Sequence, residues 1–488
     1  LTSLEGLDVR IGLEVHCQLT SLKTKLFCRC PADYRGKPPN THVCPICLGL
    51  PGTLPTVNRR AVEAALKVAL ALNCKLPSRV VFYRKNYFYP DLPKNFQISQ
   101  YDYPVGVDGE VYLEVEGEAR RVRVRRVHLE EDPGRLVYKG GITESPFTLV
   151  DYNRAGVALI EVVTEPDLRA PREARLFLQK LRSILEHLAV FDGSLEGAMR
   201  CDANISVAGG ARIEVKNISS FKEVERALSF ELMRQRNLLK IGRRVERETR
   251  CWDEVRKVTV SLRVKEEEED YRYFPEPNLV PIDLTAELID AVKREIPELP
   301  DARKARLVKQ YGIGEDEAAV LVTSKALADL FEEASAKCRD PDLLAKLVVH
   351  GLLGALNYHG LDLRESKITP AHVAELASMV EGGVVTEKTA KYLLRELVVT
   401  GEAPSQVVAT RGLERVADRA VLEEAVERVV DEEREDVKAA LKDERVIHHL
   451  VGHVLKLTKM KADPKLVYEA LKARLEALKA EGLEGAGG

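Results

Sequence analysis

Two polar residues on one short stretch open the chemistry of this chain. In Gly12-Leu13-Glu14-Val15-His16-Cys17-Gln18 and the residues just before it, Val9, Ile11, Leu13 and Val15 alternate with other positions, the period of a half-buried strand. Glu14, His16 and Gln18 then leave the strand on its other face. A carboxylate and an imidazole held side by side can share a divalent cation or pass a proton; the alternative is a polar strand face in water. A second set is Cys28-x-Cys30 followed, thirteen residues on, by Cys44-Pro45-Ile46-Cys47. Two close pairs at that separation converge on a tetrahedral thiolate site for Zn²⁺. Four thiolates leave no open position, so such a zinc is structural, and it would pin a loop rich in Pro31, Gly36, Pro38 and Pro39.

Carboxylates and cations recur over the next two hundred residues. Arg84-Lys85-Asn86-Tyr87-Phe88-Tyr89-Pro90-Asp91, running on to Gln97-Ile98-Ser99-Gln100-Tyr101, mixes stacking faces, amides and basic groups in the manner of a binding loop, or of a surface loop anchored by its own aromatics. Arg121, Arg123 and Arg125 share a strand face, either solvated or guiding phosphate. His128-Leu129-Glu130-Glu131-Asp132 places three acids before a Pro-Gly turn, where they repel one another unless neutralised, so they are candidates for Mg²⁺ or an exposed acidic turn. Arg200, Asp202 and Asn204 share one strand face, and Arg212, Glu214 and Lys216 another. Acids for a metal and Arg or Lys for phosphoryl oxygens are what a phosphate-handling Mg²⁺ site needs. No Gly-x-x-x-x-Gly-Lys-Ser/Thr run, kinase signature or dinucleotide fingerprint is present.

The elements that must position these groups fall into two styles. Up to about Leu284, short alternating segments predict strands, with a turn at Asp108-Gly109 inside a β region from Val105 to Val127. Helices are expected from Asn58 to Leu72 and from Pro171 to Leu188. Beyond Leu284 helical periodicity takes over, in segments near 285–310, 315–337, 342–357, 370–381 and 386–400, then a second helical unit ending in an amphipathic helix from Pro464 to Leu478. The expected fold is multidomain α+β: an N-terminal α/β cradle with a largely antiparallel sheet over 1–287, a helical domain over 288–402 and a helical tail over 403–488. At 488 residues the chain has room for these cores, and a net charge of −3 excludes a bulk basic footprint, so nucleic acid would meet a local patch or a partner. There is no apolar run long enough to span a membrane and no signal-peptide pattern, from which a cytoplasmic protein is expected; Leu1 in place of Met points to a trimmed start or an unusual start codon. Cysteines outside the two pairs are expected to be packed or spare. The high charged fraction of 31% and the low Met count of 4 resemble a thermophile's balance.

In order along the chain, the Gly12–His16 stretch, Cys44-Pro-Ile-Cys47-Leu-Gly-Leu-Pro51-Gly, Arg84–Asp91, Gln97–Gln100, His128–Asp132, Val150-Asp151-Tyr-Asn153-Arg154-Ala-Gly156, Arg200-Cys-Asp202-Ala-Asn204 and Asp270-Tyr-Arg-Tyr-Phe-Pro-Glu276-Pro277 resemble the B subunit family of tRNA-dependent amidotransferases, over essentially the whole chain. The resemblance implies a protein that uses ATP and Mg²⁺ to phosphorylate the side-chain carboxylate of Glu on tRNA(Gln) or Asp on tRNA(Asn). Ammonia released by an amidase (glutaminase) partner, the A subunit, then displaces the phosphate, and a small third partner, the C subunit, joins the complex. It implies Glu14, His16 and Glu131 as Mg²⁺ ligands with Asp202 and Glu214 beside them as catalytic groups. Lys85, Asn86, Tyr87, Ser99, Gln100, Arg154 and Arg200 fall on the substrate and phosphate side, and Cys28, Cys30, Cys44 and Cys47 match the zinc-bearing members. The tail would grip tRNA through Lys456, Lys459 and Lys461. Here the chain departs from the family: His453 stands where Gln is usual, Met460 replaces a usual Gly and Asp463 a usual Asn, which puts the contact of that stretch with RNA backbone in doubt. No glutaminase apparatus is legible, so ammonia must come from another chain. Two other readings remain: a non-catalytic tRNA-binding scaffold of the same complex, and an unrelated zinc hydrolase, which would need the open zinc position that four thiolates deny.

Overall fold

The structure, a computed structural model, describes residues 8–138, 145–263, 271–413, 419–442, 446–458, 462 and 464–480. The chain divides into two compact units, Leu1–Pro300 and Asp301–Gly488. The first is built on an eight-stranded sheet. Its strand order is Val258–Arg263, Thr249–Asp253, Ile213–Ile218, Met199–Val207, Val9–Gln18, Ala158–Thr164, Glu118–Glu131, Gly106–Val115. Every neighbouring pair is antiparallel except Ile213–Ile218 with Thr249–Asp253. The Glu14-His16 strand is therefore fourth from one edge, hydrogen-bonded on both sides, which fixes its register and the face that each side chain takes.

One sheet face carries Val9, Ile11, Leu13, Val15 and Cys17, all buried in a core shared with the helices Arg59–Ala71, Pro171–His187 and Phe221–Lys240. The first two helices match the sequence expectation, with Asn58 capping one through the Arg60 N–H and Pro171 opening the other. The third is absent from the sequence reading. Its buried side combines Val224, Ala227 and Leu228 with Glu223, Glu231 and Gln235, so no clean apolar stripe marks it. Those acids are paired: Glu223 accepts from Trp252 Nε1 at 2.8 Å, and Glu231 meets Arg234 at 2.7 Å.

The expected turn at Asp108-Gly109 is not a turn. The strand Gly106–Val115 runs through it and reverses at Glu116-Gly117, both with positive φ. Gly109 is there for close approach instead: a Cβ would come within 2.5 Å of the Cys74 sulfur. A smaller three-stranded sheet, Phe274–Pro275, Tyr83–Asn86 and Phe96–Ser99, belongs to the same unit. The first unit's core continues past Leu284 to Val292 on the helix Ala286–Arg294, with Ile296 and Leu299 packed against it.

The second unit is helical among the described residues. One apolar cluster runs from Leu307 to Val408 and another from Leu422 to Leu478. The segment read as 285–310 is two helices, Ala286–Arg294 and Pro300–Tyr311, because Pro297 and Pro300 remove backbone donors between them. The segment read as 315–337 is likewise split, into Glu315–Leu321 and Lys325–Ser335, where the Thr323 hydroxyl donates to the Val320 carbonyl at 2.7 Å. Pro370–Glu381 starts on a capping box of Thr369 and His372. The tail holds Arg419–Glu432, Arg434–Lys442, Ile447–Leu457 and Pro464–Ala480. Among the described residues no helix is long and apolar enough to cross a membrane.

Candidate active site

Strand register lays a line of ionisable groups across the sheet face away from the helices. His16 stands opposite Arg200 on one side and Glu161 on the other, and Glu161 stands opposite His128. One row along, Glu14 faces Asp202, and Gly12, Asn204 and Glu214 follow. The contacts are close. His16 Nε2 lies 3.4 Å from Glu161 and 3.9 Å from Glu130, and His128 Nδ1 lies 3.2 Å from Glu161. Asn204 donates to Glu14 at 3.1 Å, Lys216 reaches Asp202 at 3.1 Å and Glu214 at 3.6 Å, and Thr249 donates to Glu214 at 3.0 Å. Glu14, His16, Glu161, Asp202 and Glu214 line a cavity of about 500 Å³.

The cavity's other wall is basic and aromatic. Lys85 projects into it between Tyr271 and Tyr87, its ammonium 4.8 Å and 5.6 Å from their ring centres. Arg10, Arg125, Arg126, Arg212, Lys216 and Arg247 also line it, as does Tyr273, stacked on Tyr101 at 4.4 Å. Burial works against the charge on His16, but the Glu161 hydrogen bond and the Glu130 and Asp202 carboxylates outweigh it and raise its pKa to about 9. Glu161 is held well below the usual carboxylate range: burial would raise it, and the two imidazoles overcome that. Lys85 is likewise held above its ordinary range, burial opposing and Tyr273, Tyr87, Glu130 and Glu161 prevailing. His128, Glu130 and Glu161 bring one donor atom each within 4.8 Å of one another, and the buried Asn204 Oδ1 and His128 Nε2 lack hydrogen-bond partners among the described residues. Carboxylate oxygens with imidazole nitrogens at this spacing fit a divalent cation.

Several residues singled out from sequence lie elsewhere. Glu131 does not join Glu14 and His16. Strand alternation sends it to the opposite face, where it pairs with Lys94 at 2.6 Å and accepts from the Ile98 N–H at 2.8 Å, in a separate cavity of about 240 Å³ beside Cys28 and Cys47. It is its neighbour Glu130 that faces His16, at 3.9 Å. Arg154 and Arg200 do not line the larger cavity either. Both guanidiniums turn to the buried Asp132, at 3.8 Å and 2.6 Å, and Gln18 donates to the same carboxylate at 2.7 Å. Asn86 donates to the Arg272 carbonyl, Tyr87 to Gln97, and Ser99 to Glu130 at 2.6 Å. Gln100 is a backbone brace that accepts from Val105 and Leu129 N–H groups. Of the arginine ribbon, Arg121 and Arg123 are spent on Glu110 and Asp167, leaving Arg125 at the cavity.

The four paired cysteines do come together, their sulfurs all within 4.8 Å of one another. A tetrahedral zinc with thiolates at about 2.3 Å spaces sulfurs by about 3.8 Å, and Cys30 and Cys47 are 4.0 Å apart. Hydrogen bonding from Cys28, with the buried Lys25 ammonium 3.7 Å away and the Cys44 N–H, pulls the Cys47 thiol down to about 4. Cys47 is thus the thiolate-like member, while its hydrogen bond to Cys47 holds the Cys28 thiol up and burial does the same for Cys30, and the sulfur spacing fits a soft divalent ion.

The sequence matches the family described as the GatB/GatE catalytic domain over residues 9–290, and the GatB domain over residues 329–475. The chain belongs to the amidotransferase B subunit family. It is 49% identical to the aspartyl/glutamyl-tRNA(Asn/Gln) amidotransferase B subunit of Saccharolobus solfataricus over 96% of this chain and 99% of that protein. It is 51% identical to the one from Sulfurisphaera tokodaii, over 95% and 98%, and 47% identical to the one from Thermotoga maritima, over 96% and 98%. As a member of this family it is part of an amidotransferase built from several different chains. The catalytic-domain match contains the whole ionisable row and the cysteine cluster.

From sequence, Glu130 is only one of three adjacent acids suited to Mg²⁺, and neither His128 nor Glu161 is given a role. The signal was parity: His128 and Glu130 are two apart on one strand, as Glu14 and His16 are on another, whereas Glu131 is out of step with His128. In the tail of this GatB family member, Lys456 is exposed on the helix Ile447–Leu457; Lys459, Met460, Lys461 and Asp463 lie outside the described residues, as does Asp270.

Proposed function

We propose that the Glu14–His16 cavity is where ATP phosphorylates the side-chain carboxylate of Glu carried on tRNA(Gln), of Asp carried on tRNA(Asn), or of both, and where ammonia then forms the amide. A carboxylate resists amidation because its oxygen leaves poorly; an acyl phosphate supplies a good leaving group. The observation that carries the reading is the pairing of opposites in one cavity: a floor of Glu14, His16, Glu161 and Asp202 under a wall of Lys85, Arg125 and Arg126. Phosphoryl transfer is catalysed chiefly by positioning and by neutralising charge on oxygens, and this cavity offers anionic and cationic groups for the two halves of that task.

Within this reading His16, Glu130 and Glu161, with Glu14 beside them, would hold Mg²⁺, which when bound neutralises phosphate oxygens. Lys85 and the cavity-facing arginines take the phosphates, and Tyr271 and Tyr273 offer faces for a base or ribose. Lys216 neutralises Asp202 and Glu214 and sets their orientation. Arg200 and Arg154 act one layer back, fixing Asp132 at the end of the strand that carries Glu130. The cysteine cluster takes zinc as a staple for its Pro-rich loop, with no part in the chemistry. Ammonia comes from an amidase partner, a small third chain joins the complex, and the tail, through Lys456, Lys459 and Lys461, contacts tRNA; the cytoplasm, where charged tRNA resides, is the expected location. A bare tRNA scaffold would have no use for a buried row of paired acids and imidazoles.

The test is phosphate release from ATP by the protein with its partner chains, without glutamine, given mischarged Glu-tRNA(Gln) and Asp-tRNA(Asn) separately. Turnover that requires mischarged tRNA and is lost in Glu14→Ala is expected, and the substrate that elicits it names the specificity. Equal turnover in both proteins would remove the chemistry from this cavity.

A further inference from the structure

The tail carries a second constellation of metal-ligating side chains, in the opposite unit from the cysteines and the ionisable row. His449 and His453 are four apart on the helix Ile447–Leu457, so both imidazoles leave one face. Asp436 comes from the helix Arg434–Lys442. One donor atom from each of Asp436, His449 and His453 lies within 4.8 Å of the other two. His449 Nε2 is 3.4 Å from the Asp436 carboxylate, and the two imidazole rings are 4.9 Å apart. Glu433 stands behind the group, 2.9 Å from His453 Nδ1.

We propose that Asp436, His449 and His453 form a surface Zn²⁺ site that ties these two tail helices together. Three features support it. A His-x-x-x-His step on one helix is a zinc-ligand spacing, and two imidazoles with one carboxylate are a donor set zinc accepts, leaving a fourth position for water. The Glu433 carboxylate, 2.9 Å from Nδ1 of His453, would make Nε2 the ligating nitrogen, a carboxylate–histidine–metal relay that fixes a ligand's tautomer and raises its basicity. The site is reachable, since the His449 side chain is 64% exposed. The third histidine of the run, His448, is occupied in stacking on Tyr468 at 5.3 Å and takes no part.

The experiment is zinc titration of the full chain, its thiolate cluster already loaded, against a chromophoric competitor chelator. The wild type is expected to bind one further equivalent of zinc. His449→Ala and His453→Gln should each weaken that second equivalent at least about tenfold without touching the first, while Cys47→Ser should disturb the first and spare the second. Glu433→Gln keeps both imidazoles and tests orientation: a weakening of the second equivalent, smaller than that from loss of a ligand, is expected. Circular dichroism of each variant confirms that the helices are intact. A single equivalent in the wild type, or a second one indifferent to both histidine substitutions, overturns the proposal.

Discussion

Replacing Arg84 by Met should unfold the cavity's aromatic wall from its base. Arg84 holds Glu276 through two hydrogen bonds, Nε to Oε2 at 2.6 Å and a second guanidinium nitrogen to Oε1 at 3.0 Å. The Glu276 side chain is 1% exposed and that of Arg84 23%. The pair joins the strand Phe274–Pro275 to Tyr83–Asn86, where Arg84 is in register with Phe274, and so sets where Lys85 and Tyr273 meet the cavity. Breaking a buried pair by removing one partner costs about 3–5 kcal/mol. Asn278 still donates to Glu276 through its N–H at 3.0 Å and its side chain at 2.9 Å, and Met keeps apolar bulk against Phe96, so the low end, about 3 kcal/mol, is expected. Denaturant unfolding of the first unit reads this directly. Because the harm is an uncompensated buried carboxylate, Glu276→Gln in the Arg84→Met background should restore part of the loss. The pH dependence has a definite sign. Burial would raise the Glu276 pKa, but Arg84 and Asn278 outweigh it and hold it low. The pair's contribution is therefore complete above the ordinary Glu value of 4.5 and is lost as pH falls through the depressed folded value, so the gap between wild type and Arg84→Met should narrow in acid. A loss below about 1 kcal/mol, or one that Glu276→Gln does not relieve, would falsify this account of the wall.

Other substitutions probe the site's parts. Glu130→Gln should lower tRNA-dependent ATP turnover by about 10²-fold or more, whereas Glu131→Gln should leave ATP turnover near wild type and instead lower stability through its lost Lys94 pair; steady-state phosphate release with parallel melts separates the two. Cys47→Ser should abolish zinc retention and destabilise the first unit while purified, folded enzyme keeps ATP turnover; zinc analysis and thermal melts check it. Gly109→Ala should cost about 1–3 kcal/mol because its Cβ would meet the Cys74 sulfur at 2.5 Å and the Leu72 carbonyl at 2.6 Å, and an unaltered denaturation midpoint would contradict the close-packing argument.

Alternation made much of this fold readable. The run from Val9 to Gln18 announces a strand with Glu14 and His16 on one face, and the structure puts that strand in the middle of the sheet. Cysteine spacing announced a cluster because four thiols within one loop are a local pattern. What sequence could not supply was cross-strand register. Glu161 meets both His16 and His128 only because Ala158–Thr164 lies between their two strands, and nothing local to Glu161 reports that. Parity separates Glu130 from Glu131, whereas the family resemblance singles out Glu131 from the run of three acids without regard to face. The family resemblance puts Arg154 and Arg200 on the phosphate side; the buried Asp132 that consumes them lies 22 and 68 residues away in sequence. The helix Phe221–Lys240 was illegible because its buried acids have partners on distant strands, which turns polar positions into core positions.

The most direct test of the central claim follows the oxygen atoms. Glu-tRNA(Gln) or Asp-tRNA(Asn) carrying ¹⁸O in the side-chain carboxylate is converted by the assembled enzyme with ATP and glutamine, and the released phosphate is examined by mass spectrometry. Phosphorylation of the carboxylate followed by attack of ammonia at its carbon leaves one carboxylate oxygen on phosphate, so one ¹⁸O per phosphate for each amide formed is expected, with both label and amide lost in Glu161→Gln. Unlabelled phosphate accompanying amide formation, or label transfer at the wild-type rate in Glu161→Gln, would contradict carboxylate activation at this row of residues.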